Sequence, residues 1–258
     1  MTDGEFRCSA SSSDDQEPLA GTAPTDSAML FVEHTGAWGR QAVAQSRLPQ
    51  AVKDHLDGLR GLRVQLIRRH GGETGPGVRV FHAAACEEGF TVTTAVLARV
   101  DDIIALDLGK DLEPHEQGLW FVCTNGRRDR CCAEIGRPIT AALAARWPEE
   151  TWETTHLGGH RFSGTLLALP SGHTLGRLSP DNCVEACQQL ERGKAPTALS
   201  RGRAGRSGVE QVRELHIAAG GHRDVEVVEV TGPDRRQSCG DLTMKGTTHF
   251  EVREPERP

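Results

Sequence analysis

The chain has 258 residues, 26% of them charged, a formal net charge of -6 at pH 7, 4% aromatic residues and no tyrosine. That length supports one large or two modest domains with real cores, and the acidic balance argues against a general nucleic-acid surface. No apolar run approaches the roughly eighteen residues of a membrane span, and MTDGEFRCSASSSDDQEP is acidic and polar where a secretory signal would be basic and then apolar. A cytoplasmic protein is therefore expected, in which the eight cysteines read as metal or redox groups rather than a disulfide framework.

Taken in order, residues 1–16 are rich in Ser and Asp and are expected to be disordered, with Cys8 a free exposed thiol. Residues 17–110 read as an amino-terminal α/β domain. In it AMLFVE is a buried strand, HTGAWGR a turn, the segment from about Gln41 to Leu59 a helix, LRVQLIRR a second strand, and VRVFHAAA and FTVTTAVL two further strands after the GGETGPG loop. Trp38 reads as a packing residue at a strand–helix turn. His34, His55, His70 and His82 share no ligand spacing and read as ordinary histidines. The acidic, Pro-containing segment from Asp101 to Glu116 reads as a solvated linker at the domain boundary.

A second domain is expected over 115–195: the strand LWFVC, a helix in GRPITAALAARW with Pro at its start, strands in TWETTHLGG and RFSGTLLALPSG, and the helix SPDNCVEACQQLERG. That last helix is capped by Ser179 or Asp181 and closed by Gly193. Residues 195–207 read as a solvated basic linker. Residues 205–258 read as an α+β extension of helix, strand and terminal hairpin, in which His222, Cys239 and His249 show no ligand pattern. The fold class is α/β (α+β).

The stretch from Leu119 to Arg161 carries the chemistry. Cys123 pairs with Cys132 or its neighbour Cys131, and His156 pairs with His160. Two thiolates and two imidazoles suit either Zn2+ or a [2Fe-2S] cluster. A zinc knuckle usually places its cysteines two to four residues apart, whereas C-x8-C encloses a polar loop that fits a larger, binuclear group. Gly158 and Gly159 disfavour a helix between the histidines and let backbone approach something bulky. Arg127, Arg128 and Arg130 lie between the cysteines, where guanidinium charge would stabilise a reduced cluster and steer an acidic partner, or where Asp129 would simply pair an arginine in a solvated turn. Cys183 and Cys187, one helical turn apart, are the rival second ligand pair of an all-cysteine centre.

CTNGRRDRCC, THLGGHRFSGTLLALPSG, EPLAGTA and GAWGRQAV resemble the motifs of the sucrase/ferredoxin-like family, over a span from about Cys8 to at least Arg192. The resemblance implies a thioredoxin-like ferredoxin domain in β-α-β-β-α order. It also implies a [2Fe-2S] cluster with one iron on Cys123 and Cys132 and the other on His156 and His160, C-x8-C favouring Cys132 over Cys131. The function so implied is one-electron transfer with an unidentified redox partner protein, and without nucleic acid or membrane. Exchanging thiolates for neutral imidazoles should raise the potential. Adjacent carboxylates such as Asp101 and Asp102 and so few aromatics give no support for glycoside hydrolysis, which needs two carboxyls fixed across a sugar cleft. The alternatives are a thiol-disulfide protein using Cys131 and Cys132, which lacks a C-x-x-C, and a structural zinc protein.

Overall fold

The computed structural model describes residues 6–72 and 75–253. Within the amino-terminal segment expected to be disordered, Cys8–Asp14 form a short helix, α1. Seven residues have little helical stability of their own, so tertiary contacts hold it. Cys8 and Ser12 are buried, and the Arg177 guanidinium donates to the Ser12 and Glu17 carbonyls at 2.9 and 2.7 Å. Residues 1–5 lie outside the described residues.

The first half builds β1 (Ala28–Glu33), α2 (Gln50–Gly58), β2 (Arg63–Arg68), β3 (Val78–Ala85) and β4 (Phe90–Leu97). α2 starts later than Gln41 because Pro49 stands at its N-cap, and the residue before a proline avoids helical backbone. The expected linker is partly structured too: a 3-10 turn at Val100–Ile104 buries Ile103, and β5 (Glu113–Pro114) adds an edge strand beside β4.

The second half repeats the plan with β6 (Leu119–Cys123), α3 (Arg130–Arg146), β7 (Thr151–Thr154), β8 (Leu166–Leu169), β9 (His173–Leu175) and α4 (Cys183–Glu191). In each half the first two strands are parallel, the third lies antiparallel to the first, and the fourth antiparallel to the third. β2 and β7 join the halves antiparallel, Ile67 opposite Thr154. The result is one ten-stranded sheet, β10-β9-β8-β6-β7-β2-β1-β3-β4-β5, rather than two sheets in separate domains. Its far edge is β10 (Ser200–Arg203), a buried strand where a solvated linker was expected.

Strand alternation sorts the core into layers. Leu30 and Val32 face α2, while Trp120 and Val122 face α3 and α4. The opposite faces of the two central strands meet inside the curled sheet, where the Phe31 and Phe121 rings stack at 4.0 Å and 7°. Cys123, two residues beyond Phe121, points into this inner layer. Beyond the sheet, α5 (Gly208–Ala218) is opened by a capping box of Ser207 and Glu210. It is followed by a separate hairpin, β11 (Glu226–Ser238) and β12 (Asp241–Arg253). Among the described residues no helix is long and apolar enough to cross a membrane.

Candidate metal centre

The carboxyl ends of the parallel pair β6 and β7 supply the centre. Such ends form a natural crevice in open sheets, because the loops leaving them diverge. Cys123 closes β6 and Cys132 sits in the first turn of α3, positioned by Asp129, whose carboxylate accepts the Cys131 amide at 3.1 Å as the helix N-cap. α3 therefore begins at Arg130, ahead of the Gly136–Pro138 start expected from sequence. Its amino end, with partial positive charge, faces the thiols.

His156 leaves β7 and turns its Nδ1 toward both sulfurs, 3.9 Å from Cys123 Sγ and 3.8 Å from Cys132 Sγ. The three donor atoms lie within 4.8 Å of one another. The Nε2 of His156 faces His160 Nδ1 at 3.4 Å, so the second histidine lies on the far side of the first. Gly158 and Gly159 take φ values of 89° and 66°, the left-handed backbone that reverses the chain between the two rings. The His156 carbonyl accepts from Arg63 at 2.8 Å and Gln65 at 3.2 Å, fixing the loop from the β2 side.

Both cysteines are buried. The Cys132 thiol donates toward Cys123 and, with His156, holds Cys123 well below the usual thiol range; the same contact and burial push Cys132 well up. Ser163 Oγ donates to Cys132 Sγ at 3.9 Å. Burial and neighbouring His156 pull His160 down. Two buried sulfurs around an imidazole are a donor set matched to a borderline or soft metal.

Sequence reasoning missed Arg201. Its guanidinium, buried on β10, donates to the Gly158 carbonyl and to Thr22 Oγ1, each at 3.0 Å, and to the Thr22 carbonyl. Burial draws it down to about 9, which leaves it cationic at neutral pH beside the thiol pair. An arginine in an Arg/Gly/Ser-rich run looks like linker; only its alternation with Ser200 and Gly202 as a short strand hints otherwise. Of the arginines between the cysteines, Arg127 and Arg130 are exposed and Arg128 is partly buried. Asp129 is not paired with an arginine there but is turned inward, accepting from the Cys239 amide and Ser238 Oγ at 2.9 Å each.

The Cys131–Cys132 doublet is divided. Cys132 joins Cys123 and His156, while Cys131 faces Cys8 and Cys239. Cys8, expected to be exposed, is buried there, and Cys239, which shows no ligand pattern in the sequence, meets both of the other sulfurs. Cys183 and Cys187 lie on the other side of the sheet, packed with Trp120, Val122 and Ile139 between α3 and α4. Burial raises both thiols, Cys187 well above the usual thiol range, as for apolar packing residues.

The sucrase/ferredoxin-like family profile matches residues 19–202, and the chain belongs to that family. No curated protein and no solved structure matches it. The match takes in the paired cysteines, the histidine loop and Arg201, so the centre lies wholly inside the family's span.

Proposed function

We propose that this protein is a one-electron carrier whose [2Fe-2S] cluster is held by Cys123 and Cys132 on one side and His156 and His160 on the other. The observation that carries this reading is the convergence of two buried sulfurs and an imidazole within 4.8 Å at the ends of β6 and β7, with the second imidazole next in line. The donor chemistry fits: two thiols and two imidazoles, set out as two like pairs, are the ligand types such a cluster accepts. The β6-α3-β7-β8-β9-α4 order supports a thioredoxin-like ferredoxin scaffold for it. When bound, the group supplies a site that takes up and releases one electron.

The protein's own part is electrostatic and steric. The amino end of α3, the Ser163 hydroxyl and the Arg201 guanidinium all place positive charge or a donor near the sulfurs, and each favours the more negative, reduced state. Exposed Arg127 and Arg130 flank the loop and suit an acidic redox partner. His156 and His160 are only partly covered, which keeps the path to such a partner short.

A single tetrahedral zinc ion is the second reading, because separations of 3.8 and 3.9 Å between donors are ones that a lone ion spans. Iron, zinc and acid-labile sulfide measured on the parent, His156→Ala and His160→Ala decide between them. The carrier reading expects about two irons and two sulfides per chain in the parent, lost in both variants, and an electron paramagnetic resonance signal on reduction. Stoichiometric zinc at this site, with neither iron nor sulfide after anaerobic reconstitution, overturns it.

A further inference from the structure

Cys8, Cys131 and Cys239 are contributed by α1, the first turn of α3 and the turn between β11 and β12, yet their sulfurs converge. Cys8 and Cys131 are 3.8 Å apart, Cys131 and Cys239 3.3 Å, and Cys239 and Cys8 3.6 Å. Asp129 Oδ1 lies 3.5 Å from Cys8 Sγ, and the four donor atoms all fall within 4.8 Å of one another. All four side chains are buried. Three thiols alone would pass for small apolar packing; here a buried carboxylate, held in place by the Cys131 and Cys239 amides and by Ser238 Oγ, also turns Oδ1 toward the Cys8 sulfur.

The donor set selects the ligand. Sulfurs about 2.3 Å from a tetrahedral Zn2+ stand roughly 3.8 Å from each other, close to the separations here, and three sulfurs with one carboxylate oxygen converging on a single point suit one tetrahedral ion. The Cys8 amide donates to Cys239 Sγ at 3.4 Å, the kind of outer hydrogen bond that stabilises a metal-bound thiolate. A donor set closed on all sides, with no open position, is that of a structural rather than a catalytic ion.

We propose that Cys8, Cys131, Cys239 and Asp129 form a second, structural zinc site that bolts α1 and the β11–β12 turn onto the loop carrying the electron-transfer ligands. None of its donors belongs to the first centre, although the two adjoin. Cys131 precedes Cys132, Asp129 Oδ2 is 3.9 Å from His160 Nε2, and Cys8 Sγ is 3.8 Å from the His160 carbonyl. The ion would fix the amino end of α3 and the back of the His160 loop at once.

The test is zinc per chain, by mass spectrometry, on full-length parent, Cys8→Ser, Cys239→Ser and His156→Ala purified with zinc and washed with a mild chelator. One zinc per chain is expected in the parent and in His156→Ala, with occupancy lower by about tenfold or more in each serine variant. Should a serine variant fail to fold, the parent still reports. Co2+ exchanged into it should give sulfur-to-cobalt charge-transfer absorption, and the metal should protect Cys8, Cys131 and Cys239 from alkylation until it is chelated. A parent without this zinc, zinc that leaves with His156→Ala but not with Cys239→Ser, or a Cys131–Cys239 disulfide in the purified protein would overturn the proposal. Iron and sulfide counted on the same samples report separately on the electron carrier.

Discussion

At Gly159 an added Cβ would stand 2.5 Å from the Arg201 guanidinium, and the backbone is already left-handed, so Gly159→Ala strains the histidine loop twice over. Arg201→Ala acts on the same loop from the other side. It leaves the Gly158 and Thr22 carbonyls without their donor, at about 1–3 kcal/mol for each buried group, and urea unfolding should show the loss. A third residue sets a pH limit. His173 is largely buried, its Nδ1 meets no partner among the described residues, and burial with Arg203 nearby pulls it down to about 4. The unfolded chain, with an ordinary imidazole near 6.5, then binds more protons than the folded one between about pH 6.5 and 4. Stability should fall as pH drops through that window, by about 2–3 kcal/mol in all, and His173→Gln should remove that part of the slope in urea melts taken at each pH. None of the three could be ranked from sequence, because each matters through what folds over it. The convergence of Cys123, Cys132 and His156 follows the residue types and spacing in the sequence, with His160 lying beyond His156; the split of Cys131 from Cys132 was not legible, since it depends on which way one helical turn faces.

Among the elements, strands announced themselves best: β1 and β6 are apolar runs buried on both faces, and β3 and β4 are rich in β-branched and apolar residues bounded by turn-formers. α1 and β10 carried no such signal, because remote contacts stabilise both. The start of α3 was obscured by Gly136 and Pro138, which imitate a helix entry from inside the helix. Gly136 has a different purpose: a Cβ there would collide with the Cys123 carbonyl, so its absence lets α3 pass tightly over the end of β6. Gly136→Ala should push Cys132 away from Cys123 and cost about 1–3 kcal/mol, and it should lower bound metal even where the protein stays folded, measured by metal content beside a urea melt.

At the scale of the molecule, the repeated strand order and the antiparallel β2–β7 join make the two halves a pair around a shared interior, which the Phe31–Phe121 stack fills at its centre. The boundary near residue 110 marks a repeat rather than an independent unit. A fragment of residues 115–195 would expose Phe121, Leu167 and Leu169 to water. It should therefore fail to give dispersed amide NMR signals, and Phe31→Ala in the full chain should cost about 3–5 kcal/mol. Across the join the first half presents Glu33 where the second presents Cys123, so the near-symmetric sheet differs in donor chemistry at its two ends.

The tie between Cys8, Asp129 and the turn at Cys239 also fixes an order of events during synthesis. The back of the His160 loop stays uncovered on the ribosome until the hairpin that begins at Glu226 has emerged, more than sixty residues after His160. On the reading proposed above, a metal delivered to the nascent chain would meet an open cradle, and one delivered after release would meet a closed one.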